Sequence, residues 1–174
     1  HAALLLRGEH PAEKAVSLAF RGSTAFLARQ EYGRARRLAE EVEGSRFATR
    51  AMLAQARLVQ AEAALFEGDL AAARGKAALV LADPAAGGDA LSAIRAKDLY
   101  LLSSLKEVDS KISAGDPTGA AARLEELTLR FQNAPEAPLY LLRAMGLYAQ
   151  GGDAEGAIRS GLRFLKEYPL RKET

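Results

Sequence analysis

Residues 68–81 read Gly68-Asp69-Leu70-Ala71-Ala72-Ala73-Arg74-Gly75-Lys76-Ala77-Ala78-Leu79-Val80-Leu81. Glycine beside aspartate is helix punctuation twice over: Gly accepts the left-handed conformation that ends one helix, and Asp caps the start of the next. After the pair, Ala73, Ala77, Val80 and Leu81 fall at spacings of three and four, which puts one small, apolar stripe on a helix. The arrangement recurs. Gly152-Asp153-Ala154 precedes Ala157, Gly161, Phe164 and Leu165, and Gly115-Asp116 precedes Ala120, Ala121, Leu124, Leu127 and Phe131. At Gln30-Glu31-Tyr32 a variant of the corner leads into Ala35, Leu38, Ala39 and Val42. Corners near 30, 68, 115 and 152 are separated by 38, 47 and 37 residues, a period that belongs to repeats of paired helices.

Working outward, the segments before each corner read as first helices over roughly 12–29, 47–66, 90–113 and 137–150. Those after it read as second helices over roughly 32–43, 70–82, 118–132 and 154–167. The connections carry the breakers: Glu43-Gly44-Ser45, Asp83-Pro84 with Gly87-Gly88, and Asn133-Ala134-Pro135. The expected fold is therefore all-α, a superhelical solenoid of about four antiparallel helical hairpins. Its repeats cover approximately 11–44, 46–84, 89–134 and 135–169 of a single domain, 1–174.

Composition agrees with helix packed on helix. Hydrophobic residues make up 49%, enough for a core, while aromatics are only 6% and Trp is absent. Much of the apolar fraction is alanine, a strong helix former whose small side chain lets helices approach closely. With 24 basic and 22 acidic residues the net charge is +2, short of the basic excess that nucleic-acid binding requires, so no nucleic-acid partner is expected. The absence of cysteine removes disulfides, thiolate catalysis and Cys-based zinc sites. No apolar run approaches the length of a membrane span. The chain begins at His1, which reads as trimming or processing, so it is expected to be a fragment of a longer protein.

The corner pattern resembles the tetratricopeptide-repeat family. That family places small residues in the first helix, an aromatic about four residues before the corner, alanine in the second helix and proline at the repeat end. The match is best in Ala61–Pro84 and Leu139–Pro169, where Tyr148, Gly152-Asp153, Ala157 and Pro169 fall at or within one residue of family positions. Phe164-Leu165-Lys166-Glu167-Tyr168-Pro169 is similar to repeats of bacterial cell-envelope proteins, among them outer-membrane-assembly lipoproteins and the Tol–Pal accessory protein. Ser23 departs from the pattern, standing where the family has Gly, and the third first helix is extended. The resemblance implies a non-catalytic scaffold for protein–protein assembly, with a periplasmic or outer-membrane setting favoured over the cytoplasm. The alternative is a cytoplasmic regulatory or sensor module of a longer multidomain protein.

Residues that carry chemistry are scarce. His1 and His10 are the only histidines, and neither has partners at metal-ligand or acid–base spacing. Glu40-Glu41 and Glu125-Glu126 are adjacent on helices, where neighbours point about 100° apart, so they read as solvated faces rather than catalytic pairs. No catalytic residue, cofactor or metal is expected. Arg34, Arg36, Arg37, Arg46, Arg50 and Arg57 form a candidate basic patch, but nearby glutamates make a mixed-charge surface the preferred reading. The resemblance supplies a stronger candidate, because first helices line the concave face of such arrays. The groove positions it implies are Phe20, Thr24 and Leu27, then Leu58, Glu62 and Leu65, then Leu102, Leu105 and Asp109, then Leu142 with Gly146. The expected occupant is a protein or peptide segment with apolar side chains. Members that hold chaperone tails use Lys and Asn at two groove positions; here Phe20 and Thr24, Leu58 and Glu62, and Leu105 and Asp109 align there, so that clamp is not expected. Phe164, Leu165 and Tyr168 at one end, and Leu4, Leu5 and Leu6 at the other, have no neighbouring helix to cover them. Either their neighbours inside the hairpin absorb them, or they serve a homo-oligomer contact through the terminal helices or a missing domain.

Overall fold

In a computed structural model of the protein, the residues described are 11–83 and 90–169. Among these, eight α-helices and no strands occur: α1 Pro11–Ala28, α2 Tyr32–Glu43, α3 Arg50–Glu67, α4 Leu70–Ala82, α5 Ala90–Ser113, α6 Pro117–Arg130, α7 Ala137–Gln150 and α8 Ala154–Glu167. They coincide with the helices expected from the corner pattern, to within a few residues at each end. The largest difference is the start of α3. The Ser45 hydroxyl holds the Phe47 N–H in a turn, and Thr49 takes the N-cap, its hydroxyl accepting from Met52 N–H at 3.2 Å. His1, His10, Leu4, Leu5, Leu6, Pro84, Gly87 and Gly88 lie outside the described residues.

All four corners are built by the same hydrogen bonds. Gly68, Gly115 and Gly152 adopt φ of +84°, +76° and +77°, and Gln30 adopts φ +62° at the first corner. The next residue's N–H reaches back five positions: Asp69 to Ala64 O at 2.9 Å, Asp116 to Lys111 O at 2.8 Å, Asp153 to Tyr148 O at 2.9 Å and Glu31 to Phe26 O at 2.9 Å. These are Schellman closures, and they satisfy carbonyls that a helix end otherwise leaves open. The three aspartates then cap the following helix, accepting from Ala72 N–H at 3.0 Å, Gly119 N–H at 2.8 Å and Gly156 N–H at 2.8 Å. Glu31 makes no such cap; its longer carboxylate pairs instead with Arg34 at 2.7 Å. The first corner keeps the backbone path with a residue pair less suited to it.

The chain divides into two compact units, His1–Ser103 and Ser104–Thr174, the division falling within α5. In the first unit α1 packs on α2, α2 on α3 and α3 on α4, with α1 also touching α3. Val16, Ala35, Ala39, Val42, Ala56 and Val59 form a buried cluster there, joined by the half-buried Phe20, Phe26, Leu27, Phe47 and Met52. In the second unit α6 packs on α7 and α7 on α8, burying Ala120, Ala121, Leu124, Leu127, Leu141, Ala144, Leu147 and Tyr148. The alanine four residues after each corner acid is fully buried in α2, α4 and α6, as Ala35, Ala73 and Ala120. Such small residues set close helix approach. In α8 that register shifts by one: Ala157 is half-buried, and the closest contact is Gly156, where any side chain would collide with the Tyr148 ring.

Candidate functional site

The first-helix positions expected to line a groove separate into core, ion-paired and exposed residues. In the first unit Leu58 and Leu65 are core, at 0% and 5% exposure. The physical reason is that α3 is used on several sides, packing against α1, α2 and α4 and bonded to α5 through Gln55 Nε2 and Ser92 Oγ at 2.7 Å. As candidate partner contacts these two leucines are withdrawn. Phe20 and Leu27 are half-buried against the α1–α3 cluster. Thr24 is exposed and donates its hydroxyl to Arg21 O at 2.9 Å. Glu62 is paired with Arg95 of α5, and Leu102 is exposed.

In the second unit Leu105 is half-buried, and Asp109 is paired with Arg143 of α7 at 3.0 Å. Leu142 and Gly146 are exposed. Both candidate groove acids therefore join one first helix to the next, Glu62 from α3 to α5 and Asp109 from α5 to α7. Each thus has a cation of the chain beside it, Asp109 in an exposed pair and Glu62 in a more covered one.

Two carboxylates form deeper staples that the sequence reading missed. Glu43, at the end of α2, accepts from Lys76 Nζ of α4 at 2.6 Å, and from Arg57 Nε and Gln60 Nε2 of α3, each at 3.0 Å. Burial opposes ionisation of Glu43, but the hydrogen bonds from Lys76, Arg57 and Gln60 outweigh it and hold the carboxyl at about 2. Glu125 of α6 does the same work in the second unit. It accepts from Tyr148 Oη of α7 at 2.9 Å and Ser160 Oγ of α8 at 2.7 Å, with Arg159 at 3.6 Å. Burial and then Glu125 push the Tyr148 hydroxyl above its ordinary pKa. Glu125 is thus no member of a solvated face. The presence of a tyrosine and a serine on the next two helices was the available signal, but only the fold brings them together.

The arginine-rich stretch is largely neutralised where its partners are seen. Arg34 pairs with Glu31, Arg36 with Glu40 and Glu67, and Arg57 with Glu43, while Arg46 lies 4.8 Å from the Phe47 ring centroid. Exposed pairs of this kind add little stability each, yet they leave a mixed-charge surface. Among the described residues no group of three His, Asp or Glu converges as a metal site, and no helix is long and apolar enough to cross a membrane.

What stands out chemically is apolar. On α7, Leu139, Leu142 and Met145 are exposed, and on α8 so are Ile158, Leu162 and Leu165. Of the α8 residues expected to lack cover, Leu165 is open. Phe164 and Tyr168 are half-buried, their rings 6.2 Å apart, with the Tyr168 hydroxyl donating to Gln132 O at 3.1 Å. A surface of this composition can bind another apolar surface. Comparison of the chain with family models, with curated proteins and with solved structures finds no match.

Proposed function

We propose that the chain is a non-catalytic protein-binding scaffold, made of four tetratricopeptide-like hairpins stacked as a superhelical solenoid. The observation that carries this reading is the fourfold recurrence of one corner, a left-handed residue closed by a five-residue back-bond and followed by the start of a new helix. Recurrence of one supersecondary unit along a chain is how repeat arrays are built, and such arrays use extended helical faces to hold partners. The exposed Leu102 and Leu142 on first helices supply apolar contact points for a protein or peptide segment. A bacterial cell-envelope setting follows from the likeness of Phe164–Pro169 to envelope repeats and belongs to the same proposal.

The test places a photo-crosslinking amino acid at Leu102, at Leu142 and, as a control, at the exposed Glu41 of α2. An adduct with one defined second protein at 102 or 142, and none at 41, supports the scaffold reading. No adduct at either leucine, or the same adducts at all three positions, removes it.

A further inference from the structure

The outer face of α8 can be judged against the chain's own internal standard. Counting from the corner acid, the residues five and twelve positions on in α6 are Ala121 and Thr128, both 0% exposed. The residues at the same positions in α8 are Ile158 and Leu165, each 64% exposed and each larger. The residue eight positions before the corner acid is fully buried as Ser23, Ala61 and Val108 in the first three first helices, and is the partly exposed Met145 in α7. The last helix pair therefore presents, uncovered and with bulkier side chains, positions that α6 and the three inner first helices bury, while in α2 and α4 the residues five and twelve positions on are the half-buried Arg36, Glu43, Arg74 and Leu81.

On α8 the stripe Ile158, Leu162 and Leu165 lies within an arc of about 60°, and Met145 extends it onto α7 beside Gly161. Along one edge of this stripe lie the exposed Glu155 and Lys166 near its opposite ends, with the exposed Arg159 just beyond them turned toward Glu125 and the Tyr148 ring. We propose that this face is the contact surface for a second copy of the same chain, with the two α8 helices antiparallel about a two-fold axis near Gly161. That operator sets Ile158 of one copy against Leu165 of the other and Leu162 against its own counterpart. It also brings Glu155 of each copy beside Lys166 of the other, two equivalent charge pairs on one rim. A parallel two-fold would instead send the Glu155–Lys166 edges of the two copies to opposite rims, where they form no such pairs. An isologous two-fold contact is also closed, so it consumes the face without propagating a filament. The proposal concerns α8 and does not rest on the first-helix groove.

Sedimentation velocity on the 174-residue chain, from low micromolar to a few hundred micromolar, tests it. A reversible monomer–dimer equilibrium is expected. Leu162→Asp should weaken the dimer at least about 30-fold, the effect of losing one well-packed interface anchor. Leu18→Asp, at an equally exposed leucine of α1, should leave it unchanged. Glu155→Lys should weaken the dimer, and Glu155→Lys with Lys166→Glu should restore it. Because all four sites are exposed, melting by circular dichroism should match the parent; if Leu162→Asp unfolds, the charge-swap pair decides alone. A monomer at every concentration assigns the face to another occupant and overturns the proposal. So does a dimer indifferent to Leu162→Asp, or a charge swap that fails to rescue.

Discussion

Replacing Glu43 by Gln removes one negative charge from a cluster that joins three helices of the first unit. In the folded chain the Glu43 carboxyl sits at about 2, against an ordinary value of 4.5. The folded pKa is the lower one, so the ionised form stabilises the fold. That stabilisation is fully present above pH ~4.5 and is lost as pH falls toward ~2. The full displacement corresponds to about 3 kcal/mol. Lys76 and Arg57 are 31% and 22% exposed on their side chains, so solvent screens the cluster, and about 1–2 kcal/mol is the expected contribution. Chemical denaturation of the parent and of Glu43→Gln, run side by side from pH ~6 to ~2, measures it. Near neutrality the variant should be the less stable by that amount, and the gap should close through the acid range as Glu43 itself protonates. Other carboxylates titrate in both proteins and cancel in the difference. A gap that stays constant with pH, or is absent at neutrality, refutes the assignment of Glu43 as an ionised staple.

Further outcomes follow from the corners and from the second staple. Gln30→Gly should stabilise the protein by about 1 kcal/mol, because a non-glycine residue at positive φ is strained; the midpoint of thermal unfolding should rise a few degrees. Asp153→Ala should cost about 1 kcal/mol through loss of the α8 cap, read by the same melt, and Asp153→Asn should recover most of it. Glu125→Ala should cost about 1–3 kcal/mol, since it leaves the Tyr148 hydroxyl without its acceptor while Ser160 keeps the Gly156 carbonyl at 2.9 Å. The neighbouring Glu126→Ala should change stability by no more than about 0.5 kcal/mol.

The corners were legible because glycine and aspartate act locally: their backbone and capping preferences do not depend on what packs against them. Helix limits followed from them, as at Gly68-Asp69 and Gly152-Asp153. Helix rotation was not legible. The apolar and alanine-rich sequence of α3 offers several buriable faces, so Leu58 and Leu65 could equally line a surface or a core, and the packing of α1, α2 and α4 around α3 decided for the core. Glu125 was misread for a related reason. A glutamate beside another on a helix reads as solvated until the helices that carry Tyr148 and Ser160 close over it. The exposed face of α8 was visible only in part, through Leu165, because Ile158 and Leu162 become significant only when matched with the buried Ala121 and its surroundings in α6.

The four corners have no spare residue. The left-handed position that ends one helix is followed directly by the residue that opens the next, so chain length at these points is quantised. Adding a single residue between Gly152 and Asp153 would displace the start of α8 and turn Gly156 away from the Tyr148 ring and Ser160 away from Glu125. The connections at 44–49 and 131–136 carry no such double duty. A library of single-residue insertions along the gene should thus sort into two classes, with survivors concentrated in the connections between helix pairs and almost none at the corners within them.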